Sequence, residues 1–235
     1  LQKILGPANT KVTLTIVREG LEKPVDITVT RAEIKIPVIE YQLLANNIGY
    51  IHLLQYSANA GEEVRNALKD LIAQNPRGLI LDLRDNTGGY LNAAFDVTYA
   101  FISNGPIMIE ESGKGIKKTY NAYGNALAPD IPLVLLVNKG TASASEITAG
   151  AIQDRGRGIL IGTTTYGKGS VQNWIELEGN NGAIRVTVAR WLTPNGRQIN
   201  DVGLTPDIVV DYTPADAEAG KDPQLEKAIE YLMKL

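Results

Sequence analysis

Cysteine is absent from the 235 residues and histidine occurs once, at His52. These two scarcities exclude disulfides, thiolate nucleophiles and Cys/His zinc sites, so neither a metal nor a cofactor is expected. They also remove most familiar nucleophile–base pairs, because a hydroxyl or thiol is commonly activated by histidine. No window approaches the roughly 18 apolar residues of a membrane span. Residues 1–7 (LQKILGP) lack a charged segment followed by a long apolar one, so they say nothing about export. Nor is there a basic excess: the net charge is −3 and the lysines and arginines are scattered, which argues against a nucleic-acid or anionic-membrane partner.

What is present is an aliphatic-rich chain, 44% hydrophobic and 21% charged, long enough for one large core or a core with an appendage. Val12, Leu14 and Ile16, then Val25, Ile27 and Val29, alternate with other residues around a turn at 19–24, which predicts two antiparallel strands. Residues 32–45 read as a linker. Beyond it, runs and stripes alternate: a strand at 48–56, a helix at 62–74, a buried strand at 78–83, and a helix at 91–103. A strand at 133–137, a helix at 145–154 and a strand at 158–162 follow. Val64, Ala67, Leu68, Leu71 and Ile72 fall on one helical face, and the alternation predicts βαβ units and an α/β fold. The period then changes to two at Ile184, Val186 and Val188, closed by a turn at 192–196. A last helix is expected at 223–232, capped by Asp222.

Two small-residue turns stand directly after apolar strands: Gly140-Thr141-Ala142-Ser143-Ala144-Ser145-Glu146 and Tyr166-Gly167-Lys168-Gly169-Ser170-Val171-Gln172. They offer a hydroxyl and an amine. Lysine, with an ordinary pKa of about 10.4, is a base at neutral pH only if burial disfavours its charge. Apolar residues around Lys168, among them Val171 and Trp174, are candidates for that shielding. The Asp85-Asn86-Thr87-Gly88-Gly89 turn and the helix start after Ser143 can both supply backbone N–H groups to an oxyanion.

Plainer readings exist for each group. Ser143-x-x-Glu146 fits a capping box, Lys168 suits a solvated turn, and Gln172 suits a strand surface. His52 lies in a strand-like run and is read as structural. Residues 162–168 match G-x-x-x-x-G-K, yet Gly169 stands where Ser or Thr would hold magnesium, and the residues after it read as extended rather than helical, against a nucleotide-binding loop.

The segments LILDLRDNTGGYL (79–91), VNKGTASASEITAGAIQDRGRGILIG (137–162), TYGKGSVQ (165–172) and LTPNGRQINDVGLTPDIVV (192–210) resemble, in order, the C-terminal processing peptidases. The resemblance implies a Ser/Lys endopeptidase that cleaves protein substrates near flexible C-terminal tails through an acyl-enzyme. Carried over, it makes Ser143 the nucleophile, Lys168 the general base and Gln172 the group that orients the lysine. The oxyanion donors become the N–H of Ala144 and that of Gly89 or Gly88, with Gly89 favoured.

It further implies a crotonase/ClpP-like ββα spiral as the catalytic core at 47–212. Residues 1–32 would be the C-terminal part of a PDZ domain, whose carboxylate-binding loop is not among the residues given. A connector at 33–46 and a helical tail at 213–235 complete the division. Family members usually work outside the cytoplasm, in a periplasm, cell envelope or plastid lumen, and a homo-oligomer is left open. Two other readings remain: a catalytically idle tail-binding or scaffolding relative, and an acyl-CoA enzyme of the crotonase fold, which would share the oxyanion chemistry but needs no Ser/Lys pair.

Overall fold

The computed structural model describes residues 3–33 and 37–235, which fall into two compact units divided between Pro37 and Val38. In the first, β1 (Lys11–Ile16) and β2 (Val25–Thr30) pair antiparallel as the alternation predicts, in the register Lys11↔Thr30 to Ile16↔Val25. Polar cross-strand pairs face each other, with Thr13 Oγ1 and Thr28 Oγ1 at 3.0 Å and Thr15 Oγ1 donating to Asp26 at 2.6 Å.

The second unit is built on a six-stranded sheet. Its strands are β3 (Ile39–Leu44), β4 (Ile48–Leu53), β5 (Gly78–Asp82), β8 (Leu133–Val137), β9 (Ile159–Gly162) and β12 (Ile208–Val209), in the order β12-β9-β8-β5-β4-β3. All neighbours are parallel except β3 and β4. The helices are α1 (Ala60–Ile72), α2 (Leu91–Thr98), α3 (Ala144–Asp154), α4 (Pro214–Glu218) and α5 (Pro223–Met233).

The continuous apolar runs of β5 and β8 are explained by burial on both faces. Leu79, Leu81, Leu133, Leu135 and Val137 join the cluster formed with α1, α2 and α3, while Ile80, Val134 and Leu136 join Ala228 and Leu232 of α5. Successive strand residues thus feed opposite layers, as a period of two requires.

A second, four-stranded antiparallel sheet has the order β10-β11-β6-β7, from β6 (Asn104–Ser112), β7 (Lys117–Tyr123), β10 (Ser170–Glu176) and β11 (Ala183–Leu192). The β6–β7 hairpin has no counterpart in the sequence reading; neither of its strands shows a clean alternation of buried and exposed residues. It pairs with β11 through Leu192↔Ile109 to Ala189↔Ser112.

Several boundaries differ from expectation. The connector expected at 33–46 contains β3, bonded to β4 from Ile39↔Leu53 to Leu44↔Ile48, so the core unit begins at Val38 rather than residue 47. Residues 34–36 of that connector, and residues 1–2 of the expected PDZ part, lie outside the described residues. The strand expected to reach Tyr56 stops at Leu53, and the helix expected to reach Ser103 stops at Thr98.

The segment expected as a tail is integral to the core. Helix α5 starts at Asp222, whose carboxylate accepts from Leu225 N–H, and it covers the sheet face that α1–α3 leave open. Arg84, held by Asp82, also reaches Asp222 at 2.8 Å, fastening the helix start to the end of β5. Gly78 makes room for this packing, since a Cβ there would lie 2.8 Å from Leu232 Cδ2. Leu232→Ala should therefore lower unfolding free energy by about 2 to 5 kcal/mol, read as a shift in the urea midpoint at unchanged slope. A change below about 0.5 kcal/mol, the range of ordinary surface substitutions, would show that α5 is dispensable.

Candidate active site

Three loops and one strand of the second sheet converge where the parallel strands end. Ser143 caps α3 after β8, Gly88 and Gly89 follow β5, Lys168 follows β9, and Arg185 and Trp191 come from β11. Gly89, Tyr90, Leu91, Ser143, Ala144, Ile147, Lys168, Gln172, Arg185 and Trp191 line one cavity of about 270 Å³. Five of the six site residues expected from the sequence thus meet there, and Gly88 lies directly behind.

Ser143 is held at φ 57°, ψ −116°, a region that a residue with a Cβ rarely occupies. The surrounding bonds account for it. Ala142 N–H donates to Asn86 O at 3.0 Å, Ser145 Oγ donates to the same carbonyl at 2.9 Å, and Thr141 Oγ1 donates to Leu83 O at 2.8 Å. Gly88 presses on the turn from the other side, where a Cβ would come within 2.9 Å of Ser143 Cβ and 2.8 Å of Ala144 N. Ser143 and Glu146 form the capping box that the S-x-x-E spacing predicts, its firm half being Ser143 N–H donating to Glu146 Oε2 at 2.8 Å.

Glu146 is fully buried. Besides Ser143 N–H, its carboxylate accepts from Thr165 Oγ1 at 2.6 Å, Gly167 N–H at 2.6 Å and Lys168 N–H at 2.9 Å. One side chain therefore ties the serine turn to the lysine loop. The capping-box signature identified Glu146, but as a partner of Ser143 alone.

The lysine loop has further supports. Trp191 Nε1 donates to Lys168 O at 2.9 Å, and Asp201 N–H donates to Gly167 O at 2.8 Å. Burial holds the Lys168 ammonium below its ordinary value of 10.5; the Arg185 guanidinium lowers it further, and Glu146 opposes both. The apolar wall differs from expectation. Trp174 is 68% exposed and absent from the lining, and Trp191, Ile147, Leu91 and Val171 supply it.

Ser143 and Lys168 line the same cavity, with no hydrogen bond between their side chains among the described residues. Gln172, after an irregularity in register at Val171/Gln172, is exposed and donates from Nε2 to Thr187 Oγ1 at 3.4 Å rather than to the lysine. The two glycine N–H groups differ. That of Gly88 donates to Asn86 Oδ1 at 2.9 Å, while those of Gly89 and Ala144 have no acceptor among the described residues. Gly89 also lies against Tyr56, and a Cβ would fall 2.2 Å from Tyr56 O.

His52 lies elsewhere, lining a different cavity with Tyr50, Asp82 and Arg84, its Nδ1 3.9 Å from Glu40. After Gly169 the chain enters β10 rather than a helix, contrary to a nucleotide-binding loop. Among the described residues no cluster of three or more His, Asp or Glu side chains is placed to hold a metal, and no helix is long and apolar enough to cross a membrane.

The chain belongs to peptidase family S41, whose model matches residues 47–210. It is 41% identical over 233 residues to the carboxy-terminal-processing protease of Bartonella bacilliformis, covering 96% of this chain and 52% of that protein. It is 42% identical over 237 residues to the carboxyl-terminal-processing protease of Synechocystis sp., covering 98% and 55%. Among solved structures, a photosystem II D1 C-terminal processing protease superposes with a TM-score of 0.71 at 33% identity, covering 91% of this chain and 59% of that one. The chain thus spans about half the length of these curated relatives.

Glu146→Gln would set an amide N–H₂ against two of the donors that the carboxylate now accepts. A loss of about 2 to 4 kcal/mol in unfolding free energy is expected, with faster amide exchange at Gly167 and Lys168. Unchanged stability and exchange would remove Glu146 from its place as the tie between the two loops.

Proposed function

We propose that the chain is an endopeptidase acting near protein C-termini, with Ser143 as nucleophile and Lys168 as general base. The observation that carries this reading is the one cavity lined by both Ser143 and a lysine whose charge is disfavoured by burial. Neutral Lys168 takes the proton of Ser143 as Oγ attacks the scissile carbonyl. The tetrahedral intermediate collapses to an acyl-enzyme as the protonated lysine gives its proton to the leaving amine, and water then releases the acyl group with the same base.

The oxyanion is assigned to the N–H groups of Ala144 and Gly89, each worth roughly 3 to 4 kcal/mol in the transition state. Gly89 is preferred to Gly88 because the Gly88 N–H is already committed to Asn86. Gln172 is assigned to orienting the lysine, which requires its amide to turn from Thr187. Hydrogen bonds of this kind are often loose until substrate binds.

Residues 1–32 are read as the C-terminal part of a PDZ domain and the core as a crotonase/ClpP-like spiral, on the resemblance of the sequence. Work outside the cytoplasm is proposed on the same basis; several relatives carry "chloroplastic" in their names. The idle-relative and acyl-CoA readings have no observation in their favour comparable to the Ser143–Lys168 cavity.

Ser143→Ala and Lys168→Ala should each reduce cleavage of an unstructured protein tail at least about 10³-fold, as loss of a nucleophile or its base does, read by mass spectrometry of the products. Activity surviving Ser143→Ala would end this mechanism. Because the base must be neutral and its pKa is lowered, kcat/KM should rise with pH to a plateau whose midpoint lies below 10.5. A flat profile between about pH 5 and 9 under chemistry-limited conditions would remove Lys168 as base.

A further inference from the structure

The cavity that holds Ser143 carries two cations, Lys168 and Arg185, and no carboxylate among its lining residues. Neither cation takes part in an ion pair among the described residues. The nearest buried acid, Glu146, is saturated by four donors of its own. If Lys168 reacts as a neutral amine, Arg185 remains the permanent positive charge of the site, since a guanidinium is not deprotonated in proteins. A fork of N–H donors left without an internal acceptor is suited to a carboxylate, which it can bind bidentately.

The strand geometry says where that carboxylate would lie. Thr187 pairs with Gln172 and Arg185 pairs with Trp174 across β10 and β11. Paired residues share a face, and so do residues two apart on one strand, so Gln172, Thr187, Trp174 and Arg185 lie on the face that borders the cavity. Arg185 stands one same-face step beyond Thr187 and lines the cavity with Ser143 and Lys168, close enough for its charge to act on the lysine. Trp174, largely exposed beside it, offers an apolar surface to the stem of the bound residue.

We infer that Arg185 is a specificity-determining residue that binds a carboxylate of the substrate close to the cleaved bond. This rests on the reading of Ser143 and Lys168 as the peptidase centre. The carboxylate is either the substrate's own C-terminus or an acidic side chain, chemically the same partner for the guanidinium. Binding supplies the counter-charge that the cavity lacks and draws the chain end across Ser143.

The test uses a fluorogenic peptide whose only acids are a free C-terminus and one glutamate two residues from the cleaved bond. It is compared with its C-terminal amide, its Glu→Gln analogue and the doubly neutral peptide. In the unsubstituted chain the acidic peptide should be favoured over the doubly neutral one by about tenfold in kcat/KM, the scale of one charge-assisted contact. Arg185→Gln should bring that ratio close to one, and Arg185→Lys should retain part of it. The single-acid peptide that keeps the preference identifies which carboxylate is bound.

The ratio is insensitive to any change in Lys168 titration, which alters all four peptides alike. A ratio unchanged by Arg185→Gln, or four rates falling equally, overturns the inference. Anisotropy of the labelled peptides, measured on Ser143→Ala and Ser143→Ala/Arg185→Gln chains, reads the same preference without turnover. Equal binding of acidic and neutral peptides to the first of these overturns the carboxylate site. Charge-dependent binding by a chain that cleaves nothing would instead leave the site standing and end the peptidase reading.

Discussion

A single buried carboxylate holds the arrangement together. Glu146 sits in the first turn of α3, where an acid is already favoured by the unpaired N–H groups and the helix dipole. Its two oxygens accept from the backbone of Ser143 and from Thr165, Gly167 and Lys168. A charge buried this completely is tolerable only when its hydrogen bonds are satisfied. The satisfaction comes from the serine turn and the lysine loop at once. The strained backbone at Ser143 and the placement of Lys168 therefore share one cause, and neither loop can shift without leaving donors or acceptors unpaired.

The rest of the core gives that carboxylate a rigid frame. The central parallel strands are buried from both sides, by α1–α3 on one face and α5 on the other, so their C-terminal ends hold the serine and glycine turns at constant separation. Such crevices beyond the strand ends are where open α/β sheets ordinarily place ligands. The antiparallel sheet contributes what the parallel one lacks: Trp191 to fasten Lys168, Gln172 on the cavity wall, and Arg185 as a fixed cation.

The electrostatics follow from this division. Burial and Arg185 press the lysine toward its neutral form while Glu146 pulls it back, and the first two prevail. Glu146 contributes less to the lysine's charge than to its position, because it binds the loop's backbone amides rather than the amine. The same guanidinium that discourages a proton on Lys168 leaves the cavity lining with positive charge and no carboxylate to balance it.

Much of this was legible before any coordinates. Local chemistry marked the α/β alternation of the core, the two antiparallel strands at the start, the Ser143 and Lys168 turns and the glycines beside them. Apolar runs, turn residues and the S-x-x-E spacing act over a few neighbours and are therefore written in the chain. The β3 strand, the β6–β7 hairpin and the docking of α5 were not, since each depends on partners far away in sequence. The bond that commits the Gly88 N–H to Asn86 was not visible either, nor was the place of Trp191 rather than Trp174 in the cavity wall, and Arg185 looked like any strand arginine until the fold set it in one cavity with Lys168. The sequence by itself determined which groups could do the chemistry, because reactivity resides in residue type and local turn. Only the tertiary structure decided which of them share a cavity and which charges go unanswered there, because field, burial and distance are set by residues that no local pattern connects.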